Sequence, residues 1–126
     1  MSFKIKMAQD GILRVQLEGD LTQGLIESFK RDYSPYVEAS TREIPLNNII
    51  YMENLGTLSY EARQYLTELL KDERYGLAAF INPPRKARVL GQFIQKATGR
   101  HNIRYFTNEK EALSWLKEHK KARTSA

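Results

Sequence analysis

The side chains best able to do chemistry stand ahead of two helical runs. In 56–63, GTLSYEAR, the hydroxyls of Thr57, Ser59 and Tyr60 precede Glu61 and the apolar-periodic run ARQYLTELLK. A hydroxyl at a helix start can cap free amides or accept a phosphate, since amides and dipole both favour an oxygen or an anion there. Glu61 already supplies negative charge at that point, which reduces what a phosphate would gain. Ser59 therefore reads as the helix cap, and the Thr57–Glu61 loop as a contact surface rather than a reactive centre.

The second stretch is PPRKAR at 83–88, which places Arg85, Lys86 and Arg88 in the first turn of another helix. Cations there oppose the dipole at a cost of several tenths of a kcal/mol per exposed charge. One reading is an anion site, where these side chains join the helix amides to hold a phosphate, a nucleotide or an acidic protein surface. The plainer reading is a solvated basic turn. Both loops follow strands, so they should share the carboxyl edge of one sheet, the edge where open α/β sheets keep their ligands.

Catalysis finds less support. The two histidines, His101 and His119, fall in a turn and on an exposed helix, with no spacing that suggests metal ligands. Asp10, Asp20 and Asp32 occupy turn or helix-end positions, and no carboxylate pair argues for acid/base work. Glycine-rich phosphate loops and nucleophile–base motifs are lacking, so an enzyme is not expected, and neither is a cofactor or a metal. With no cysteine, the chain makes no disulfide or thiolate site.

The elements that must position these residues follow from periodicity. FKIKM and ILRVQLEG alternate apolar with polar residues around Asp10-Gly11, giving an antiparallel hairpin with Phe3, Ile5 and Met7 on one face. A helix runs from Leu21 to about Val37, capped by Asp20 or Thr22, with Ser34-Pro35 expected to end or kink it. IPLNNIIYM reads as a buried strand entered at Pro45, with Asn47 and Asn48 blurring its start. Helix 62–70, strand GLAAFIN, a helix bearing Val89, Leu90, Phe93 and Ile94, strand NIRYF and a final helix with Trp115 complete the chain. Gly99 suits a helix C-cap. Phe29, Phe80, Phe93, Phe106 and Trp115 all fall on apolar faces and are expected in the core. The order predicts an α/β fold: one mixed, mostly parallel sheet of about five strands with an N-terminal antiparallel hairpin, and about four helices.

A chain of 126 residues fits one domain, read as 1–119 with a basic tail at 120–126. The net charge of +5 suggests an anionic partner, but Lys117, Lys120, Lys121 and Arg123 crowd the last ten positions. That tail reads as a solvated helix end, and nucleic acid is disfavoured. No apolar run approaches a membrane span or a signal peptide, so a cytoplasmic protein without membrane insertion is expected. A homodimer is considered only because two-fold dimers are common.

Several stretches carry a family resemblance over roughly residues 3–119. LSYEARQYL, GLAAFIN, RKARVLGQFIQKATG and above all YFTNEKEALSWLKE, a strand end, cap and tryptophan at fixed spacing, resemble uncharacterised bacterial proteins of the STAS domain family. That family is the SpoIIAA-like fold of anti-sigma-factor antagonists and sulfate-transporter tails. The resemblance implies a non-enzymatic regulatory module that binds a protein partner, such as a regulatory kinase or a sigma-factor regulator. Founding members switch partners by phosphorylating a serine in an Asp-Ser-Ser-Gly loop. The corresponding positions here are Ser59, Tyr60, Glu61 and Ala62, which puts the phosphoserine switch in doubt. A binder of a small anionic ligand, nucleotide or lipid, at the carboxyl edge is the alternative. So is an apolar pocket between helices and sheet, although a pocket sized for a lipid would empty much of so small a core.

Overall fold

The computed structural model describes residues 2–125, and side chains over residues 3–119. The expected basic side chains Lys120, Lys121 and Arg123 lie outside the described residues. The elements run β1 (Ser2–Met7), β2 (Ile12–Leu21), α1 (Gln23–Glu38), β3 (Leu46–Tyr51), β4 (Leu55–Leu58), α2 (Tyr60–Lys71), β5 (Tyr75–Ile81), α3 (Arg85–Thr98), β6 (Ile103–Phe106) and α4 (Glu109–Ser125).

β1 and β2 form the antiparallel hairpin, and the sheet then continues in parallel in the order β1-β2-β3-β5-β6. Each parallel crossover steps the same way, so right-handed connections place α1, α2 and α3 on one face. The larger core lies there, with Phe29 and Tyr33 of α1, Leu69 and Leu70 of α2 and Ile94 of α3 packed on Leu13, Val15, Ile50 and Phe80. α4 returns to the opposite face, where Ala112, Trp115 and Leu116 cover Ile12, Ile49, Ala79 and Ile81.

The sixth strand, β4, is additional to the expected pattern. After Tyr51 the chain leaves β3's line and then pairs with the end of the long β2, Gly19 against Leu55 and Leu21 against Leu58. Four residues are too few to show a period, which is why this strand escapes a reading by periodicity.

Two expectations are corrected. Pro35 does not end α1, which continues to Glu38. Its missing N–H is tolerated because the last turn is closed by Ala39 N–H to Pro35 O at 3.0 Å and by Ser40 Oγ–H to Tyr36 O at 2.9 Å. Phe93, expected in the core, is 67% exposed, and Val89 is 55% exposed. At 100° per residue α3 turns Ala87, Gly91 and Ile94 inward, leaving Val89 and Phe93 on its outer shoulder.

Asn47 and Asn48 lie inside β3. Asn48 is fully buried, accepting the Tyr33 hydroxyl and donating Nδ2–H to Leu46 O at 3.1 Å. Asn47 Oδ1 accepts Leu77 N–H at 2.9 Å across a register shift between β3 and β5. Side-chain bonds thus replace missing ladder bonds, as burial of polar groups requires.

Candidate functional site

The parallel strands end along one edge, and the loop into α2 is fixed there from two sides. Asp20, near the end of β2, accepts the backbone N–H of Thr57 on Oδ1 at 2.8 Å. Bonds from the Thr57 amide and hydroxyl hold this exposed carboxyl below the ordinary carboxylate value of 3.8, helped by the nearby Lys86 charge. The approach is close: a Cβ on Gly56 would lie 2.2 Å from Asp20 Oδ1, so any side chain there would have to push the carboxylate off the Thr57 amide. Two residues after Thr57, Ser59 N–H donates to Leu21 O at 2.9 Å.

Ser59 caps α2, its Oγ accepting Ala62 N–H at 3.1 Å while its carbonyl accepts Arg63 N–H at 3.0 Å. Glu61 supplies the acidic charge of the first turn. Tyr60 points out, 62% exposed, its hydroxyl accepting Gln64 Nε2–H at 2.8 Å. Thr57 is exposed and Ser59 half-buried.

α3 begins differently. Asn82 closes β5 with φ of 49°, a left-handed conformation that asparagine tolerates better than most residues. Pro84 then stands at the cap position with no side-chain bond to the helix, and the first turn carries no acid. Arg85, Lys86 and Arg88 are all exposed.

The edge divides these cations. The Lys86 charge reaches Asp20, whose carboxyl it helps to lower. Arg88 instead lines a second cleft, with Asn82, Tyr105, Thr107 and Glu111, between the starts of α3 and α4. Its carbonyl accepts the Tyr105 hydroxyl at 3.1 Å, and burial pushes that phenol upward. Tyr105 reaches under α3 because Gly91 is bare: a Cβ there would lie 2.9 Å from the hydroxyl.

Asp20 as a latch and Tyr105 as a wall are the edge residues that sequence reasoning missed. The acid–glycine pair Asp20 and Gly56 is a signal only in retrospect, because 37 positions separate Asp20 from Thr57. On the opposite face, Arg14 bonds Asp10 at 2.8 Å and lies 3.5 Å from Glu109, which also accepts the Tyr51 hydroxyl at 2.5 Å. This cluster anchors the first turn of α4 rather than serving the edge.

The donors that lower the Asp20 carboxyl favour its ionised form, which weakens it as a general base. Among the described residues no group of three or more His, Asp or Glu could hold a metal ion. His119 Nδ1 lies 3.1 Å from Trp115 O, where its N–H donates to the carbonyl, and the ring packs edge-on to the indole. Between sheet and helices lies an apolar cavity of about 30 Å³, lined by residues such as Phe29, Met52, Leu66 and Leu90. That is roughly the liquid volume of one water and far below an acyl chain. No helix among the described residues is long and apolar enough to cross a membrane.

The fold has solved counterparts. An uncharacterised protein of the DUF3478 family with a SpoIIAA-like fold, from Shewanella loihica PV-4, superposes with a TM-score of 0.70 at 19% identity, covering 91% of this chain and 92% of its own. The anti-sigma-factor antagonist SpoIIAA in its unphosphorylated form superposes with a TM-score of 0.69 at 17% identity, covering 92% and 98%. No curated protein matches the chain. A domain of unknown function, DUF7793, matches residues 7–120. The chain belongs to this DUF7793 family, and it carries that domain on the STAS, or SpoIIAA-like, fold.

Proposed function

We propose that the chain is a non-enzymatic regulatory module of the cytoplasm that acts by binding a protein partner, without a phosphoserine switch. The contact surface is the carboxyl edge formed by Thr57, Ser59, Tyr60 and Glu61 with Arg85, Lys86 and Arg88. The observation that carries this reading is the state of the loop. Ser59 is engaged as a helix cap and Thr57 is tied to Asp20, while Tyr60 is left exposed. A partner in the class of a regulatory kinase or a sigma-factor regulator fits the fold likeness to an anti-sigma-factor antagonist. Intact-mass measurement of the protein from its own cell tests the switch: an unmodified mass is expected, and a stoichiometric phosphate on Thr57 or Ser59 would overturn this part.

A second reading is favoured by the uncapped start of α3, where three cations and no acid accompany Pro84. There a small anionic ligand, such as a nucleotide, would bind on the surface. Thermal-shift titration separates the two, since a ligand that binds only the folded chain stabilises it by RT ln(1 + L/Kd), with L its free concentration, and so raises Tm with the logarithm of its concentration above Kd. No shift with inorganic phosphate or nucleotides is expected; a concentration-dependent rise would favour the ligand.

A further inference from the structure

α3 shows more apolar surface than its packing uses. Val89 and Phe93 stand one turn apart on its solvent side, and Leu90, three residues before Phe93, lines a groove against α2 with Tyr60, Gln64, Thr67 and the charged Arg63, Glu68 and Lys71, two cations to one acid. Scattered exposed apolar residues are ordinary, but neighbouring ones bordering a groove mark contact surfaces.

Charge defines the occupant. α3 holds Arg85, Lys86, Arg88 and Lys96 and no carboxylate, whereas α2 balances Glu61 and Glu68 against Arg63 and Lys71. Among the described residues no ion pair engages any of the four α3 cations. Lys86 and Lys96 bracket the apolar pair over ten residues, about 15 Å along the axis, or nearly three helical turns. We propose that the α2–α3 groove with Val89 and Phe93 is a docking site for an acidic amphipathic helix of a protein partner. This rests on the protein-binding reading above, extends that surface from Tyr60, Arg85 and Lys86 along α3 to Val89, Leu90 and Phe93, and adds a partner chemistry.

The other occupants fit less well. A second copy in a two-fold contact would set Arg85, Lys86 and Lys96 against the same cations. A membrane would receive only the outer shoulder of a helix whose inner side is committed to the core, as Ala87, Gly91 and Ile94 are. An acidic helix offers both partners at once: apolar side chains for Leu90 and Phe93, and carboxylates for the rim.

The test is a titration of the isotope-labelled chain, followed by NMR, with a synthetic amphipathic helix of about 18 residues bearing leucines on one face and glutamates on the other. Controls are the same composition with the leucines scattered, and a lysine-for-glutamate version. Saturable shifts are expected at Tyr60, Gln64, Val89, Leu90 and Phe93, with neither control matching the affinity. Phe93→Glu should weaken binding roughly tenfold or more while leaving the melting temperature unchanged, because the side chain is exposed. Val89→Ser serves as an independent variant with the same expectation. Equal binding of the scattered peptide, or no saturable shift, overturns the proposal. Shifts confined to Asp20 and residues 57–59 also overturn it, while leaving the edge reading intact. Phe93-dependent binding to phosphatidylglycerol vesicles without peptide binding assigns the stripe to a membrane and overturns it as well.

Discussion

The carboxylate of Asp20 accepts the backbone N–H of Thr57 at 2.8 Å, joining the end of β2 to the loop that opens α2. The bond is strongest while Asp20 is ionised, and its donors depress the carboxyl pKa below 3.8. A depressed carboxyl adds stability above its unfolded value, and that contribution is lost as pH falls through the lower folded value. The Thr57 amide resonance is therefore expected to titrate with a midpoint below 3.8, and Asp20→Asn to flatten that titration.

Gly56 is the steric counterpart of that latch. A Cβ there meets Asp20 Oδ1 at 2.2 Å and the Gly19 backbone carbon at 3.2 Å. Gly56→Ala must push the carboxylate away, and is expected to cost about 1–3 kcal/mol in denaturant unfolding while exposing the Thr57 amide to exchange.

Ser59 separates capping from signalling. Ser59→Ala removes the acceptor of the Ala62 amide and should cost about 1 kcal/mol in chemical unfolding. Ser59→Asp restores an equally good cap at a helix start, so its stability should return to within about 0.5 kcal/mol of the parent.

The fold was legible where periodicity and burial agree. Period-2 runs located β1 and β2, and helical spacing located all four helices, because each buries one face on the sheet. The departures have local causes. Pro35 stays helical because its lost bond falls near a helix end that other bonds close. The apolar arc of α3 is wider than its footprint on the sheet, so pattern alone placed Phe93 inside. Of the candidate edge, the hydroxyl loop and the basic turn could be read from type and position. Asp20 could not, because its partner comes from a distant strand pairing that no local signal encodes.

The two phenylalanines of α1 and α3 give a direct contrast. Phe29 is 3% exposed and stacks on Tyr33 at 5.0 Å, while Phe93 faces solvent. Phe29→Ala should cost about 3–5 kcal/mol by cavity formation, and Phe93→Ala should stay within about 0.5 kcal/mol of the parent. Comparable losses at both sites would show that α3 is packed differently.

The buried pair Tyr33 and Asn48 tests the core on the α1 side. Tyr33→Phe removes the donor to Asn48 Oδ1 and leaves a buried acceptor without it, at a cost of about 1–3 kcal/mol in unfolding.

The central claim is that the carboxyl edge meets a protein. Its most direct measurement is photo-crosslinking in the native cell, with a photoreactive residue in place of exposed Tyr60 or Arg85 and, as reference, exposed Lys4 on the edge strand β1. The account predicts one discrete protein adduct from positions 60 and 85 that is absent from position 4. Adducts equally frequent at all three positions, or none at 60 and 85, would contradict it.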